Sequence, residues 1–217
     1  MRAINIPSVV AFAIGFFIQK TEEPRLITYL WWGTLLEGKK INLRVRERED
    51  IDWLMECFNN LDFRGEYDPI TPQKSRTERL KDFDNPTQLS ILTEAGRFIV
   101  EKKDGTKIGT IAHWLVLPNR WMEIGYHLIP RERRKGYGTE AAQLIVDYLF
   151  LSRTIDRIQA ITDVRNKASQ RVLEKTGSQK EGTIRKSGFV EGAWTNAYMY
   201  SILREDWKQP KALAQKQ

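Results

Sequence analysis

The chain has 217 residues, with 35 Lys and Arg against 28 Asp and Glu, two histidines and one cysteine. That length suits one domain with a core that needs neither disulfides nor metal: Cys57 has no second cysteine to pair with, and His113 and His127 are too few for a structural zinc site. A sequence pI near 9.5 draws anions to the surface. The basic residues are nevertheless interleaved with acids, as in Arg44-Val45-Arg46-Glu47-Arg48-Glu49-Asp50, rather than gathered into a stripe, so no nucleic-acid partner is expected. The exception is the dense cluster Arg131, Arg133, Arg134 and Lys135 beside two glycines.

In chain order, the apolar run from Val9 to Ile18 falls well short of the roughly 20 residues that a membrane-spanning helix needs, so no stable membrane insertion is expected. It reads as a packing or dimerising segment, which leaves room for a homodimer. The competing reading is a secretory signal, but no small-residue cleavage site follows the run. Residues 1–35 are expected to be an appendage, 36–207 the domain and 208–217 a polar tail, in a cytoplasmic protein.

The first strand is expected over Ile41 to Arg46. Asp50 then reads as the cap of a helix whose face carries Ile51, Leu54, Met55 and Phe58. A loop from Asn59 to Ile70 follows, and Thr71-Pro72 opens a polar helix reaching about Phe83. Strands are expected over Arg97 to Glu101, Lys107 to Val116 and Arg120 to Ile129, as an antiparallel meander. In the third, a period of two puts Trp121, Glu123, Gly125 and His127 on one face and Met122, Ile124, Tyr126 and Leu128 on the other. The spacing of Ala141, Ala142, Leu144, Ile145, Tyr148 and Leu149 predicts an amphipathic helix over Gly138 to Leu151. A strand over Arg157 to Val164, a helix over Lys167 to Lys175 ended by Thr176-Gly177, and strands over Lys180 to Lys186 and Trp194 to Leu203 complete a mixed α and β order.

Arg133-Arg134-Lys135-Gly136-Tyr137-Gly138 stands between a strand end and a helix start. The first N–H groups of a helix lack internal partners and, with the helix dipole, favour an anion; glycines let a diphosphate approach the main chain. The other reading is a tight turn with surface arginines. The three-glycine dinucleotide fingerprint and the Gly-Lys-Ser/Thr ending of a P-loop are both missing.

Arg133, Gly136 and Gly138 match the signature of the GNAT superfamily of acyl-CoA-dependent N-acetyltransferases. The similarity continues through Thr139-Glu140-Ala141, Asn166-Lys167-Ala168-Ser169, Val172-Leu173-Glu174-Lys175-Thr176-Gly177, Glu181-Gly182 and Arg185, and upstream through Leu36-Glu37-Gly38-Lys39-Lys40 and Glu123-Ile124-Gly125-Tyr126. Over roughly residues 36 to 207 the chain resembles the RimJ/RimL type.

The resemblance implies a twisted, mostly antiparallel α/β sheet flanked by helices, whose strands Arg120 to Ile129 and Arg157 to Val164 splay apart around acetyl-CoA. It gives the main-chain groups of His127, Leu128 and Ile129 to the pantetheine arm. The amides of Arg133, Arg134, Lys135, Gly136, Tyr137, Gly138 and Thr139 go to the pyrophosphate, and Asn166 to cofactor or substrate. No metal is implied. The reaction implied is attack of a neutral primary amine on the thioester, with Glu123 as general base and His127 in reach of the same face. Many members carry a tyrosine acid where this chain has Leu173, so Ser169 becomes the hydroxyl donor to the departing thiolate. Each of these residues has a plainer reading: Glu123 as a cross-strand charge, Asn166 as a helix cap, Ser169 as a surface serine bonded to backbone. The expected acceptor is a protein or peptide N-terminal α-amine. The alternatives are a small-molecule amine (amino acid, polyamine or antibiotic), a non-catalytic acyl-CoA-binding regulator, and a basic adaptor for nucleic acid.

Overall fold

The computed structural model describes residues 36–69, 73–85, 95–119 and 121–213. The run Val9 to Ile18, Thr71-Pro72 and Arg120 lie outside the described residues. Among the described residues the strands are β1 (Leu36–Glu37), β2 (Ile41–Val45), β3 (Gly96–Lys102), β4 (Lys107–Val116), β5 (Trp121–Leu128), β6 (Arg157–Asp163), β7 (Gln179–Val190) and β8 (Ala193–Leu203). The helices are α1 (Ile51–Asn59), α2 (Leu61–Arg64), α3 (Arg76–Asp84), α4 (Tyr137–Ser152) and α5 (Lys167–Thr176).

The strands form one sheet in the order β1-β2-β3-β4-β5-β6-β8-β7, antiparallel throughout except for the parallel pair β5 and β6. Alternation sorts its faces. Phe98, Val100, Ile111, Leu115, Met122 and Ile124 join Ala141, Leu144, Ile145 and Leu149 of α4 and Leu173 of α5 in the main core. Each such large side chain contributes about 1.5–3 kcal/mol by leaving water. Ile99, pointing the other way between Phe98 and Val100, packs with Ile51 and Leu54 of α1.

Several boundaries differ from the sequence expectation, each for a local reason. Asp50 precedes α1, but its side chain makes no cap; it is 1 % exposed and receives Arg44, Lys107 and the Glu47 N–H. The polar helix starts at Arg76, because Ser75 and Glu78 form a reciprocal capping box. The stretch read as one loop contains the helical turn α2. β7 runs on to Val190, with its register slipping between Ile184 and Gly188. The segment read as a polar tail is docked as far as Leu213: the main-chain N–H groups of Lys211, Ala212 and Leu213 and the indole N–H of Trp207 all donate to buried Asp147 of α4. Among the described residues no helix is long and apolar enough to cross a membrane.

Candidate functional site

β5 and β6 pair over two rungs only, Met122 with Ile158 and Glu123 with Gln159. Beyond Glu123 the strands part, and β6 stays in the sheet through β8 alone. The opening therefore lies at the carboxyl ends of two parallel strands, where α/β sheets commonly hold ligands.

Successive residues of a strand point their main-chain groups to opposite sides. Ile129 N–H donates to Ile108 O, and Ile129 O accepts from Glu132 N–H. The His127 carbonyl also faces β4, lying where a Cβ on Gly109 would sit 2.3 Å away. The groups turned toward the opening are thus those of Tyr126 and Leu128, and Leu128 O already accepts from Arg133 Nε at 3.0 Å. Of the three residues expected to serve the pantetheine arm through the main chain, only Leu128 turns its main-chain groups toward the opening, while His127 and Ile129 are occupied in the ladder and turn beside β4.

The loop into α4 bends through two left-handed residues, Arg134 at φ 63° and Gly136 at φ 90°. Such a conformation favours glycine and makes an anion-binding concavity of successive N–H groups. The first bond of α4 runs from Glu140 N–H to Gly136 O, leaving the amides of Tyr137, Gly138 and Thr139 without partners inside the helix. The basic side chains do less than their number suggests. Arg133 donates to Leu128 O, Asp62 O and Phe63 O, tying the loop to α2, and Lys135 pairs with Glu132 at 2.9 Å. The main-chain amides at the start of α4, rather than these two side chains, are left open to an anion.

At the last rung, Gln159 Nε2 donates to Glu123 Oε2 at 2.8 Å. Burial raises the Glu123 pKa above the ordinary glutamate value, and the Gln159 hydrogen bond works against that rise. A carboxylate so placed is a stronger base than one in water.

Across the opening, Tyr126 OH and Ser169 Oγ lie 2.9 Å apart, so hydroxyls from β5 and α5 meet. Burial pushes the Tyr126 phenol up to about 12, which keeps it protonated. Asn166 caps α5 by accepting the Ser169 N–H at 3.0 Å, the plainer of its two readings. Leu173 is buried in the core. Tyr126 was missed because its period-two face reads as core; only the open strand pair gives that face a second use.

The segment after α2, part of the loop expected over Asn59 to Ile70, reaches both strands. Asp68 bonds His127 Nε2 at 2.6 Å, with Phe58 and Phe63 packed on the imidazole, and Tyr67 lies under Arg165, which pairs with Asp163 at the end of β6. His127 therefore anchors this segment through its side chain. Neither contact carries a periodicity or motif that a sequence displays.

Residues 40–179 match the family described as Acetyltransferase (GNAT) domain. The chain is 31% identical over 172 residues to an uncharacterized N-acetyltransferase, YoaA, of Bacillus subtilis, covering 78% of this chain and 97% of that protein. It is 27% identical over 170 residues to spermidine N(1)-acetyltransferase of Escherichia coli, covering 77% and 88%. In fold it matches the ribosomal-protein-S5-alanine acetyltransferase of Vibrio fischeri with a TM-score of 0.69 at 24% identity, covering 79% and 97%. Structures solved with CoA bound are among its fold matches. A sheet opened between β5 and β6, a main-chain anion cradle at the start of α4 and the family match agree: the chain belongs to the GNAT acetyltransferases and is an acyl-CoA-dependent N-acetyltransferase with acetyl-CoA as its cosubstrate.

Proposed function

We propose that the chain transfers the acetyl group of acetyl-CoA to the N-terminal α-amine of a protein or peptide in the cytoplasm, with Glu123 as the general base. The observation that carries the reading is the position of Glu123 on the last paired rung before β5 and β6 part, half-buried and with its pKa raised. The pyrophosphate rests on the amides of Lys135 to Thr139, and the pantetheine arm enters along Tyr126 and Leu128. The amine gives its proton to Glu123, directly or through water, and attacks the thioester carbonyl. The C–S bond then breaks, the Ser169 hydroxyl, bonded to Tyr126, donates a hydrogen bond to the leaving thiolate, and the proton taken by Glu123 returns through water to complete the thiol. An α-amine, with an ordinary pKa near ~8, is already largely neutral in mildly alkaline solution, so it suits a site with Leu173 where a tyrosine acid would stand.

A second reading, a polyamine acceptor, is favoured by the similarity to the Escherichia coli spermidine enzyme. Mass spectrometry of products from peptides with free and blocked N-termini, presented beside spermidine, separates the two. Acetylation confined to free-amine peptides supports the first reading, and acetylation confined to spermidine contradicts it.

A further inference from the structure

The chemistry described so far leaves Glu181-Gly182 without a task. At that point β7 advances two residues, Lys180 to Gly182, while β8 advances one, Tyr200 to Met199, so Glu181 is the extra residue of a bulge. A bulge re-aims the side chain that it carries. Glu181 takes both arms of the Arg157 guanidinium, Nη1 at 2.6 Å and Nη2 beside it, and accepts the Ser201 hydroxyl. Arg157 stands on β6 two residues before Gln159, so it shares the face on which Gln159 meets Glu123. We propose that Arg157, clamped by Glu181, is a positioning residue for acetyl transfer: it fixes which end of the Gln159 amide faces Glu123. The inference rests on Glu123 acting as the general base.

A glutamine amide has a donor end and an acceptor end, and either can meet a carboxyl group. Arg157 Nε donates to Gln159 Oε1 at 3.4 Å, while Gln159 Nε2 donates to Glu123 Oε2 at 2.8 Å. A guanidinium accepts no hydrogen bond, so the amide turned over sets N–H groups against N–H groups and its oxygen against the carboxylate, losing both bonds. The consequence is chemical. A glutamine free to turn supports the Glu123 carboxylate with its N–H and the protonated acid with its carbonyl, whereas one held by Arg157 supports the carboxylate alone. Glu123 thereby stays ionised to a lower pH than beside an untethered amide.

The clamp is held on every side. The Arg157 side chain is 12 % exposed, its guanidinium carbon lies 4.8 Å from the centre of the Trp121 ring, and Nη2 also reaches Met199 Sδ. The Arg157 guanidinium and the Ser201 hydroxyl hold the Glu181 carboxyl down to about 2, so the clamp keeps its charges while Glu123, raised above the ordinary value, changes its own. A plain salt bridge accounts for Arg157 with Glu181, but not for Nε on the Gln159 carbonyl. Neighbouring charges are spent elsewhere: His127 of β5 bonds Asp68, Asp163 of β6 pairs with Arg165, and Glu66 bonds Tyr67. From β4, the residue paired with Glu123 is Trp114.

Carboxyl carbon-13 NMR of the full chain, with the Glu123 resonance identified by its loss in Glu123→Gln, reads the titration midpoint of Glu123 without any acceptor. Arg157→Leu should raise that midpoint by about 0.5 to 1 pH unit, and by about 0.2 or less in a protein already carrying Gln159→Leu. Glu181→Leu, at a side chain 40 % exposed, keeps the Arg157 charge but frees it, and should raise the midpoint by a smaller amount. Charge alone predicts the opposite for this variant, since deleting a nearby anion lowers a glutamate pKa. A fall or no change in Glu181→Leu, or an equal rise from Arg157→Leu with and without Gln159, overturns the proposal. Thermal melts identify the folded variants, and Glu181→Leu decides alone should Arg157→Leu fail to fold. In thiol release from acetyl-CoA with a free-amine peptide, the acid limb of kcat/KM should move with the midpoint. A midpoint that moves while the limb stays overturns the general-base reading beneath the proposal.

Discussion

Gln159 donates its side-chain amide to Glu123 on the last rung at which β5 and β6 remain paired, at 2.8 Å. That bond opposes the upward pull of burial on the Glu123 pKa. The rate needs the deprotonated carboxylate, so activity falls as pH drops through the raised Glu123 pKa. Gln159→Leu removes the opposing bond and should move this acid limb to higher pH, costing about tenfold at mildly acidic pH and little on the alkaline plateau. A pH profile of kcat/KM for both proteins checks this, and superimposable acid limbs would remove Gln159 from the control of Glu123.

A Cβ on Gly138 would meet Leu128 Cδ1 at 3.5 Å and Val172 Cγ2 at 3.7 Å, ordinary contacts that the fold can accept. Gly136, at φ 90°, is different: a side chain there costs about 1–3 kcal/mol in strain. Gly138→Val should therefore keep a near-normal melting temperature yet lose acetyl-CoA binding, whereas Gly136→Val should lose both binding and some stability. Calorimetry paired with thermal melting distinguishes them; unchanged affinity in folded Gly138→Val would contradict the cradle.

Ser169→Ala removes the hydroxyl proposed to meet the departing thiolate. It should lower kcat by about 10- to 100-fold with little change in the KM for acetyl-CoA. Tyr126→Phe should give a smaller loss of kcat and cost about 0.5–1.5 kcal/mol of stability, since a part-buried hydrogen bond to Ser169 disappears. Steady-state kinetics and denaturant melts read the two effects separately, and an unaltered kcat for Ser169→Ala would place Ser169 outside the chemistry.

The parts of the fold legible in the sequence are those with a period or a stop signal. Lys107 to Val116 forms β4 with both ends as expected, and the apolar stripe of α4 and the Thr176-Gly177 stop of α5 follow the same local rules. The loop that opens α4 was legible because helix-start chemistry and glycine spacing coincide. Contacts between distant segments were not legible. Asp68 with His127, Tyr126 with Ser169 and Asp147 with Lys211 depend on which strands part and which tail docks. The same limit explains why the Arg133 amide was expected at the pyrophosphate, although it donates to Pro130 O while the guanidinium holds three other carbonyls.

His113 is 1 % exposed, and both of its ring nitrogens lack a hydrogen-bond partner among the described residues. Burial lowers its pKa from 6.5 to about 4. Between those values the unfolded chain binds a proton that the folded chain refuses, so stability should rise with pH across this window and fall on acidification, by about 3 kcal/mol in all. His113→Phe should flatten that part of the stability curve and match or exceed the unaltered protein at pH 5. Denaturant melts at pH 4.5 to 7 provide the check; an unchanged slope in the variant would show that another group titrates there.

In the proposed reaction Glu123 takes the proton of an attacking amine beside a bound thioester. The most direct measurement is thiol release from acetyl-CoA with a free-amine peptide, comparing the unaltered protein with Glu123→Gln and measuring acetyl-CoA affinity for both. Release should require the peptide, and Glu123→Gln should retain acetyl-CoA affinity while turning over about 100- to 10,000-fold more slowly. Equal turnover by the two proteins across neutral and mildly acidic pH would contradict the account.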